Sequence, residues 1–169
     1  DGAVLEVSGN ELLVRGAGEA VVFAHQAGDD NWNPAPDANV TIVVHPAELD
    51  VVAHDASKEY LQPIPPLEFH YEGFVNEENA TVLDLQPEIL TTADASSPAG
   101  VYDVNASGGL DPNYHFFYHG AHLEIGATAQ HVDHFEAPLD AIYGDPPLPL
   151  EATASSGLPV IFSSSDDAV

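Results

Sequence analysis

Two similar stretches of the sequence, Tyr60-Leu61-Gln62-Pro63-Ile64-Pro65-Pro66-Leu67 and Tyr143-Gly144-Asp145-Pro146-Pro147-Leu148-Pro149-Leu150, decide the fold. Each begins with a tyrosine, continues through a proline-rich run and ends in leucine. The two tyrosines are 83 residues apart (143 − 60 = 83). A repeat of this length indicates that the 169-residue chain contains two related domains.

The residues around these stretches have the pattern of β-strands. Apolar runs are short, rich in β-branched residues and bounded by Gly, Pro, Asn or Asp, while helical periodicity is nearly absent. The continuous aromatic run Tyr114–Tyr118 predicts a strand inside a sandwich core rather than at an edge. Strands are predicted at Val4–Val7, Glu11–Arg15, Ala20–Gln26, Val40–His45, Leu49–Ala53, Leu67–Tyr71, Ile89–Ala93, Val101–Ala106, Tyr114–Tyr118, His122–Ile125, Leu150–Ala154 and Val160–Ser163.

The spacing of these strands and of the repeat predicts the domain organisation. Regular short strands are typical of antiparallel sandwiches, and 83 residues is about the length of one immunoglobulin-like unit. We therefore predict an all-β chain with two immunoglobulin-like antiparallel β-sandwich domains, one contiguous over residues 47–127 and one split. In the split domain, residues 128–169 supply the first strands and residues 1–46 the last strands.

The order of the split domain also predicts how the segment is used. Ser163–Val169 reads smoothly into Asp1–Leu5, so we expect the segment to be one period of a tandem array. The sequence contains no methionine, which leads us to expect a longer natural polypeptide. One covalent chain and separate subunits that exchange strands would give the same local fold.

Several motifs recur in the middle unit and in the split unit. They are Ala53–Tyr60, Tyr71–Glu78, Ser97–Tyr102, Ser107–Gly109 and Asn113–Phe116 in the middle unit, and Ala152–Val160, Gly16–Gly18 and Ala27–Asn31 in the split unit. These motifs resemble the mostly-beta, glycine-rich (MBG) domains and bacterial Ig-like repeats of large surface and adhesin-like proteins. In that family such modules act mainly as spacers, so the resemblance implies a structural role. Leu61-Gln62 departs from the Gly-Asp pattern that Gly144-Asp145 keeps, and lysine is scarce.

Glycine and aromatic residues suit such a sandwich for physical reasons. Gly108, Gly109 and Gly157 permit positive φ in tight hairpin turns. Aromatic side chains are predicted to fill a thin core between two sheets. These core aromatics are Tyr71, Phe74, Tyr102, Tyr114 and Phe116.

Composition limits the possible partners. The 28 Asp and Glu residues against 2 Lys and Arg give a formal charge of −26, which repels nucleic acids and anionic lipid surfaces. No apolar run approaches the length of a transmembrane helix, so we expect neither nucleic-acid partners nor membrane insertion in this segment. The absence of cysteine excludes disulfides and thiolate metal sites. We expect an extracellular or cell-surface location, in a prokaryote and in a saline environment.

Calcium is the one cofactor that the sequence suggests. Asp29, Asp30 and Asn31 offer hard oxygen ligands in a loop, as do Asp166 and Asp167, although the spacing of an EF-hand is absent. Ordinary turn formation by Asp and Asn is the alternative explanation. Three glycosylation sequons begin at Asn39, Asn79 and Asn105, and they would matter only in a source that glycosylates.

Enzyme motifs are missing from the sequence, and we expect no catalytic function. There is no Gly-x-Ser-x-Gly elbow, phosphate loop or His-Glu-x-x-His motif. The first functional prediction is therefore a repeat unit of an extracellular filament or stalk, in which identical repeats or subunits join head to tail. The alternative is an adhesin module that binds glycans or another cell surface, with the lone Trp32 as its contact. Packing of Trp32 inside the split domain is the competing explanation.

Overall fold

A computed structural model of the protein describes residues 3–137 and 140–165. The fold of these residues is all β, as predicted, with a single three-residue 3-10 helix at Ala80–Val82. The strands are β1 (Leu5–Ser8), β2 (Glu11–Val14), β3 (Gly18–Ala24), β4 (Ala38–Val44), β5 (Ala47–Ala53), β6 (Ala56–Glu59), β7 (Phe69–Glu72), β8 (Glu88–Thr91), β9 (Gly100–Ser107), β10 (Tyr114–His119), β11 (Ala121–Gly126), β12 (Val132–Glu136) and β13 (Glu151–Ala154).

The chain divides into two compact units, and the boundary lies between Gly126 and Ala127. The first unit contains the hairpins β1–β2 and β3–β4 and two larger sheets formed by β5 to β11. The second unit contains the antiparallel pair β12–β13. The immunoglobulin-like topology and the division of one domain between residues 1–46 and 128–169 stay predictions.

Two sheets enclose the hydrophobic core within residues 47–126. One sheet has the strand order β10-β5-β7 and the other β6-β11-β9-β8. Strand β5 alternates so that Leu49, Val51 and Ala53 point inward, which is the period of two that a strand with one buried face requires. Ala53 packs with Val104 and Leu123 of the second sheet, so the two sheets face each other across this core.

The predicted core aromatics lie in or against this core. Tyr114 is buried with Leu49 and Leu83, and Tyr71, Phe74 and Phe116 pack against that cluster. Tyr102 packs against the neighbouring cluster around Val104 and Leu123. The prediction that these five aromatic residues fill the core is therefore confirmed.

The sequence predicted antiparallel pairing throughout, and the structure differs. Strand β10 pairs with β5, and β11 pairs with β6, in parallel. Tyr114 lies opposite Ala47 in the first ladder and Leu123 opposite Ala56 in the second, an offset of 67 residues in both. Residues 47–59 and 114–126 therefore form one ribbon of paired strands, in a single register, that crosses from one sheet to the other. We call it the parallel ribbon.

Three local predictions were wrong. Tyr114–Tyr118 lies in β10, an edge strand of its sheet in the described structure, and Phe117 and Tyr118 are about 40% exposed. The described residues contain no strand at Val160–Ser163, although the sequence has the right residue types. Strands β6 and β12 were not predicted, because Ala56–Glu59 and Val132–Glu136 lack a strong pattern of alternating apolar residues.

Candidate functional site: the open edges of two partial sheets

The hairpin β3–β4 has the same construction as the pair β9–β11 of the complete sandwich. Gly18 opens β3 with φ 138° and Gly100 opens β9 with φ 159°, 82 positions later. Ala20 lies opposite Ile42 in the first pair, and Tyr102 lies opposite Leu123 in the second. The two antiparallel ladders therefore agree to within one residue after an offset of about 82.

The turn that follows β3 is also repeated after β9. The Asp29 side-chain Oδ1 accepts a hydrogen bond from the Asn31 amide at 2.8 Å, and Asp111 Oδ1 accepts one from the Asn113 amide at 2.8 Å. This is the Asx-turn geometry that a short carboxylate favours. The next residue is aromatic in both cases, Trp32 or Tyr114, so the same turn presents an aromatic side chain in both parts of the chain.

Tyr114 and Trp32 lie in opposite environments despite this shared turn. Tyr114 is 4% exposed, and its ring packs edge-on against Phe74 with 5.2 Å between centroids. Its hydroxyl donates to Glu78 and accepts from the Val75 amide. Burial, followed by the hydrogen bond to Glu78, raises the pKa of the Tyr114 hydroxyl. Trp32, in contrast, is 76% exposed.

The pair β12–β13 repeats the pair β5–β7 on either side of the matching tyrosine. Ala53 and Glu136 are the last residues of β5 and β12 and precede Tyr60 and Tyr143 by seven positions each. The partner of Ala53 in β7 follows Tyr60 by nine positions, and the partner of Glu136 in β13 follows Tyr143 by eight.

The connection between the paired strands contains the same β-turn in both copies. Gln62 N donates to Glu59 O at 3.1 Å, and Asp145 N donates to Ile142 O at 2.9 Å. The third residue of each turn has positive φ, 66° at Leu61 and 101° at Gly144. A turn of this kind favours glycine at its third position. Leu61 therefore differs from Gly144 in its side chain but keeps the same backbone turn.

Both partial sheets lack a neighbour that the complete sandwich has. In the described structure β3–β4 and β12–β13 are two-stranded sheets. In the complete sandwich, β11 is the counterpart of β4, and β5 is the counterpart of β12. Each of these strands has one more neighbour, since β6 lies beside β11 and β10 lies beside β5, both in parallel. Large apolar side chains are exposed on both partial sheets: Val21, Phe23, Val40 and Val43 on the first, and Val132 and Phe135 on the second.

Asp29, Asp30 and Asn31, proposed as calcium ligands, lie on the turn before Trp32. Asp29 Oδ1 already accepts from the amides of Asn31 and Trp32, which is the turn-forming role considered as the alternative. Residues 3–137 and 140–165 contain no group of three His, Cys, Asp or Glu side chains that could hold a metal ion. Asp166 and Asp167 lie outside the described residues, and the calcium prediction stays a prediction.

The three sequon asparagines lie on exposed positions of separate elements. Asn39 is on β4, Asn105 is on β9, and Asn79 caps the 3-10 helix by accepting from the Thr81 amide at 3.0 Å. Glycosylation at these positions stays a prediction. A search for helices long and apolar enough to cross a membrane finds none among the described residues.

Comparison with known proteins identifies a family for the complete sandwich. The chain matches neither a curated protein nor a solved structure. The family model of the MBG domain (YGX type) matches residues 49–124, which are the complete sandwich from β5 into β11. MBG domains are repeat domains of bacterial surface proteins. The predicted resemblance is thus confirmed for this part of the chain, and residues 49–124 are an MBG domain of the YGX type.

Proposed function

We propose that the chain is a structural repeat unit of an extracellular or cell-surface filament or stalk, in which identical repeats or subunits follow one another head to tail. The observation that carries the proposal is the contrast between one complete sandwich and the partial sheets that precede and follow it in sequence. Every buried apolar side chain of the described residues lies between Leu49 and Ile125. A complete domain flanked by unfinished sheets suits serial assembly.

The charge of the chain supports a saline setting, and the occurrence of MBG domains in bacterial surface proteins supports an extracellular location in a prokaryote. At a formal charge of −26, neighbouring copies repel each other unless counterions screen them. The screening length falls from about 10 Å at 0.1 M salt to about 3 Å at 1 M salt, so salt should promote assembly. The proposal assigns the segment no catalytic activity, nucleic-acid partner or membrane insertion.

The proposal is tested by the mass of the native polypeptide under full denaturation, together with electron micrographs of the undenatured material over a range of salt concentrations. A mass far above 17.8 kDa with fibrous material indicates a covalent tandem array. A mass near 17.8 kDa with filaments indicates separate subunits joined by strand donation. Material that shows no filament or stalk at any salt concentration contradicts the proposal.

A second function, adhesion to glycans or to another cell surface, is favoured by one observation. Trp32 is 76% exposed on a turn whose backbone Asp29 holds in place, and exposed aromatic rings are common contacts for ligands. Binding of the folded Trp32→Ala variant to a glycan panel tests this role. Selective loss of binding, with Phe23→Ala as the exposed-aromatic control, supports adhesion, and unchanged binding contradicts it.

A further inference from the structure

The complete MBG domain shows how its two halves are held together. The first half contains β5, β6 and β7, and the second half contains β8 to β11. The parallel ribbon is the ladder that joins them, since it pairs β5 with β10 and β6 with β11. If the domain were divided after β7, the backbone pairing lost between the halves would be that of the parallel ribbon.

The flanking parts of the chain are counterparts of these two halves. Strands β12 and β13, with the turn at Tyr143, correspond to β5 and β7 with the turn at Tyr60. Strands β3 and β4, with the turn before Trp32, correspond to β9 and β11 with the turn before Tyr114. The edges that are open on β4 and β12 are therefore the edges that the parallel ribbon occupies in the complete domain.

The faces of the flanking halves lack cover as well. Val104 and Leu123 of the complete domain are fully buried. Their counterparts Val22 and Ile42 are half-buried in the described structure. Trp32 is exposed where Tyr114 is covered by Phe74 and the end of β5. A partner that resembles the first half of the domain would cover both the edge and the face.

We propose that residues 127–137 and 140–165 of one copy and residues 3–44 of a second copy close into one sandwich of the MBG type. Residues 32–37 of one copy add in parallel to residues 130–135 of the other, and residues 43–44 add to residues 140–141, which recreates the parallel ribbon. Trp32 then takes the buried place that Tyr114 has in the complete domain. This inference rests on the proposed function and names its partner surface.

The course of the chain through the complete domain explains why the partner is a second copy. The chain enters the parallel ribbon at Ala47, opposite Tyr114, and leaves it at Gly126, opposite Glu59. These are opposite ends of a ribbon 13 residues long, or roughly 40 Å at about 3.3 Å per residue if it were straight. The Ala17 amide donates to Asn113 at 2.7 Å, which keeps the preceding half near the entry end. Each half is thus attached to a different end of the complete domain.

The fluorescence of Trp32 gives a direct test on the unmodified 169-residue chain, because it is the sole tryptophan. Raising the protein and salt concentrations should shift its emission to shorter wavelength as the ring becomes buried between copies. Trp32→Ala should raise the concentration needed for half-assembly at least about tenfold, as expected for a buried aromatic anchor. Assembly without an emission shift would overturn the inference.

Engineered cysteines test the register, since the chain has no cysteine of its own. Val43 and Asp140 are counterparts of Glu124 and Ser57, which lie opposite each other in the parallel ribbon. Paired strands bring Cα atoms about 4.8 Å apart, within reach of a disulfide. A mixture of V43C and D140C chains should therefore oxidise to a covalent dimer. Glu19 lies opposite Val43 on β3, one strand farther away, so E19C mixed with D140C is the control.

The outcomes separate this inference from the proposed function. Dimers from V43C with D140C, but not from E19C with D140C, support strand pairing between copies. An internal disulfide at monomer mass in the double variant V43C/D140C, with no dimer in the mixture, overturns it. Filaments without the cross-link overturn the inference and leave the filament proposal standing. The cross-link without filaments at any salt concentration supports the inference and contradicts the filament.

Discussion

The turn before Tyr114 and the turn before Trp32 share the hydrogen bond from an asparagine amide to an aspartate side chain, yet one aromatic ring is 4% exposed and the other 76%. Local sequence therefore determines the turn in both places, while burial depends on residues far away in the chain. Tyr114 is covered because β5 and Phe74 belong to the same contiguous domain. The difference teaches that a turn keeps its local geometry whether or not the aromatic ring that follows it is buried.

The largest difference in stability between the two regions is expected when the matched valines Val104 and Val22 are truncated to alanine. Val104 is fully buried, and its counterpart Val22 is half-buried. Val104→Ala should lower the free energy of unfolding by about 2 kcal/mol, because it removes two buried methyl groups and leaves a cavity. Val22→Ala in unassembled protein should cost about 0.5 kcal/mol or less. Urea denaturation measures both, and equal losses would break the comparison.

A smaller effect is expected at the two aromatic positions. Tyr114→Phe removes the hydroxyl that pairs with Val75 and Glu78, so the Val75 amide loses its acceptor. The free energy of unfolding should fall by about 1.5 kcal/mol. Trp32→Phe should leave the stability of the unassembled protein unchanged, because the ring is exposed. Thermal unfolding of both variants at low protein concentration checks the pair, and an equal loss in Trp32→Phe would contradict the assignment.

The two matching turns provide the third comparison. Leu61 has φ 66° and its side chain is 63% exposed, so Leu61→Gly removes backbone strain and little packing. This variant should gain about 1 kcal/mol of stability. Gly144 has φ 101°, where any side chain is strained, so Gly144→Ala should be destabilising despite the open space around it. Calorimetry of both variants tests the signs, and a loss in Leu61→Gly would show that Leu61 contributes packing.

The smallest effect is a pH dependence that belongs to the complete domain. Burial raises the pKa of Tyr71 and of Tyr114 above the ordinary value of 10.0. Their contribution to stability is therefore fully present below pH 10 and is lost as the pH rises through the higher pKa of the folded state. Denaturation midpoints between pH 9 and pH 11 should fall, and Tyr114→Phe should weaken that fall. An unchanged slope in Tyr114→Phe would assign the effect to other groups.

Sequence alone predicted what depends on local residue type. The two proline-rich stretches, the alternating strand β5 and the core aromatics were all visible as patterns. The parallel pairing of β5 with β10 and of β6 with β11 was not predicted. Ala56–Glu59 becomes a strand because Leu123–Gly126 lies beside it, and Val160–Ser163 has strand residues without a strand partner among the described residues. Ile161 is accordingly 92% exposed.

The open edges of the candidate site were hidden for the same reason. Predicting them requires knowing that β5 and β10 are parallel neighbours, and no pattern within either segment states that. The signal that was present is the length of the repeat, since the same offset of about 82 or 83 residues relates the turns and the strands of both halves. The prediction that one domain is split rests on that offset, whereas the parallel ribbon required the structure.

The parallel ribbon also determines how the complete domain would respond to tension. The chain enters one strand of the ribbon at Ala47 and leaves the other at Gly126, at the opposite end. A pull on the two chain ends would slide these strands past each other along their length. The ladder hydrogen bonds would then bear the load together instead of opening one after another, as they do when a hairpin is unzipped. The complete domain is thus loaded in shear, which suits the stalk or filament that we propose.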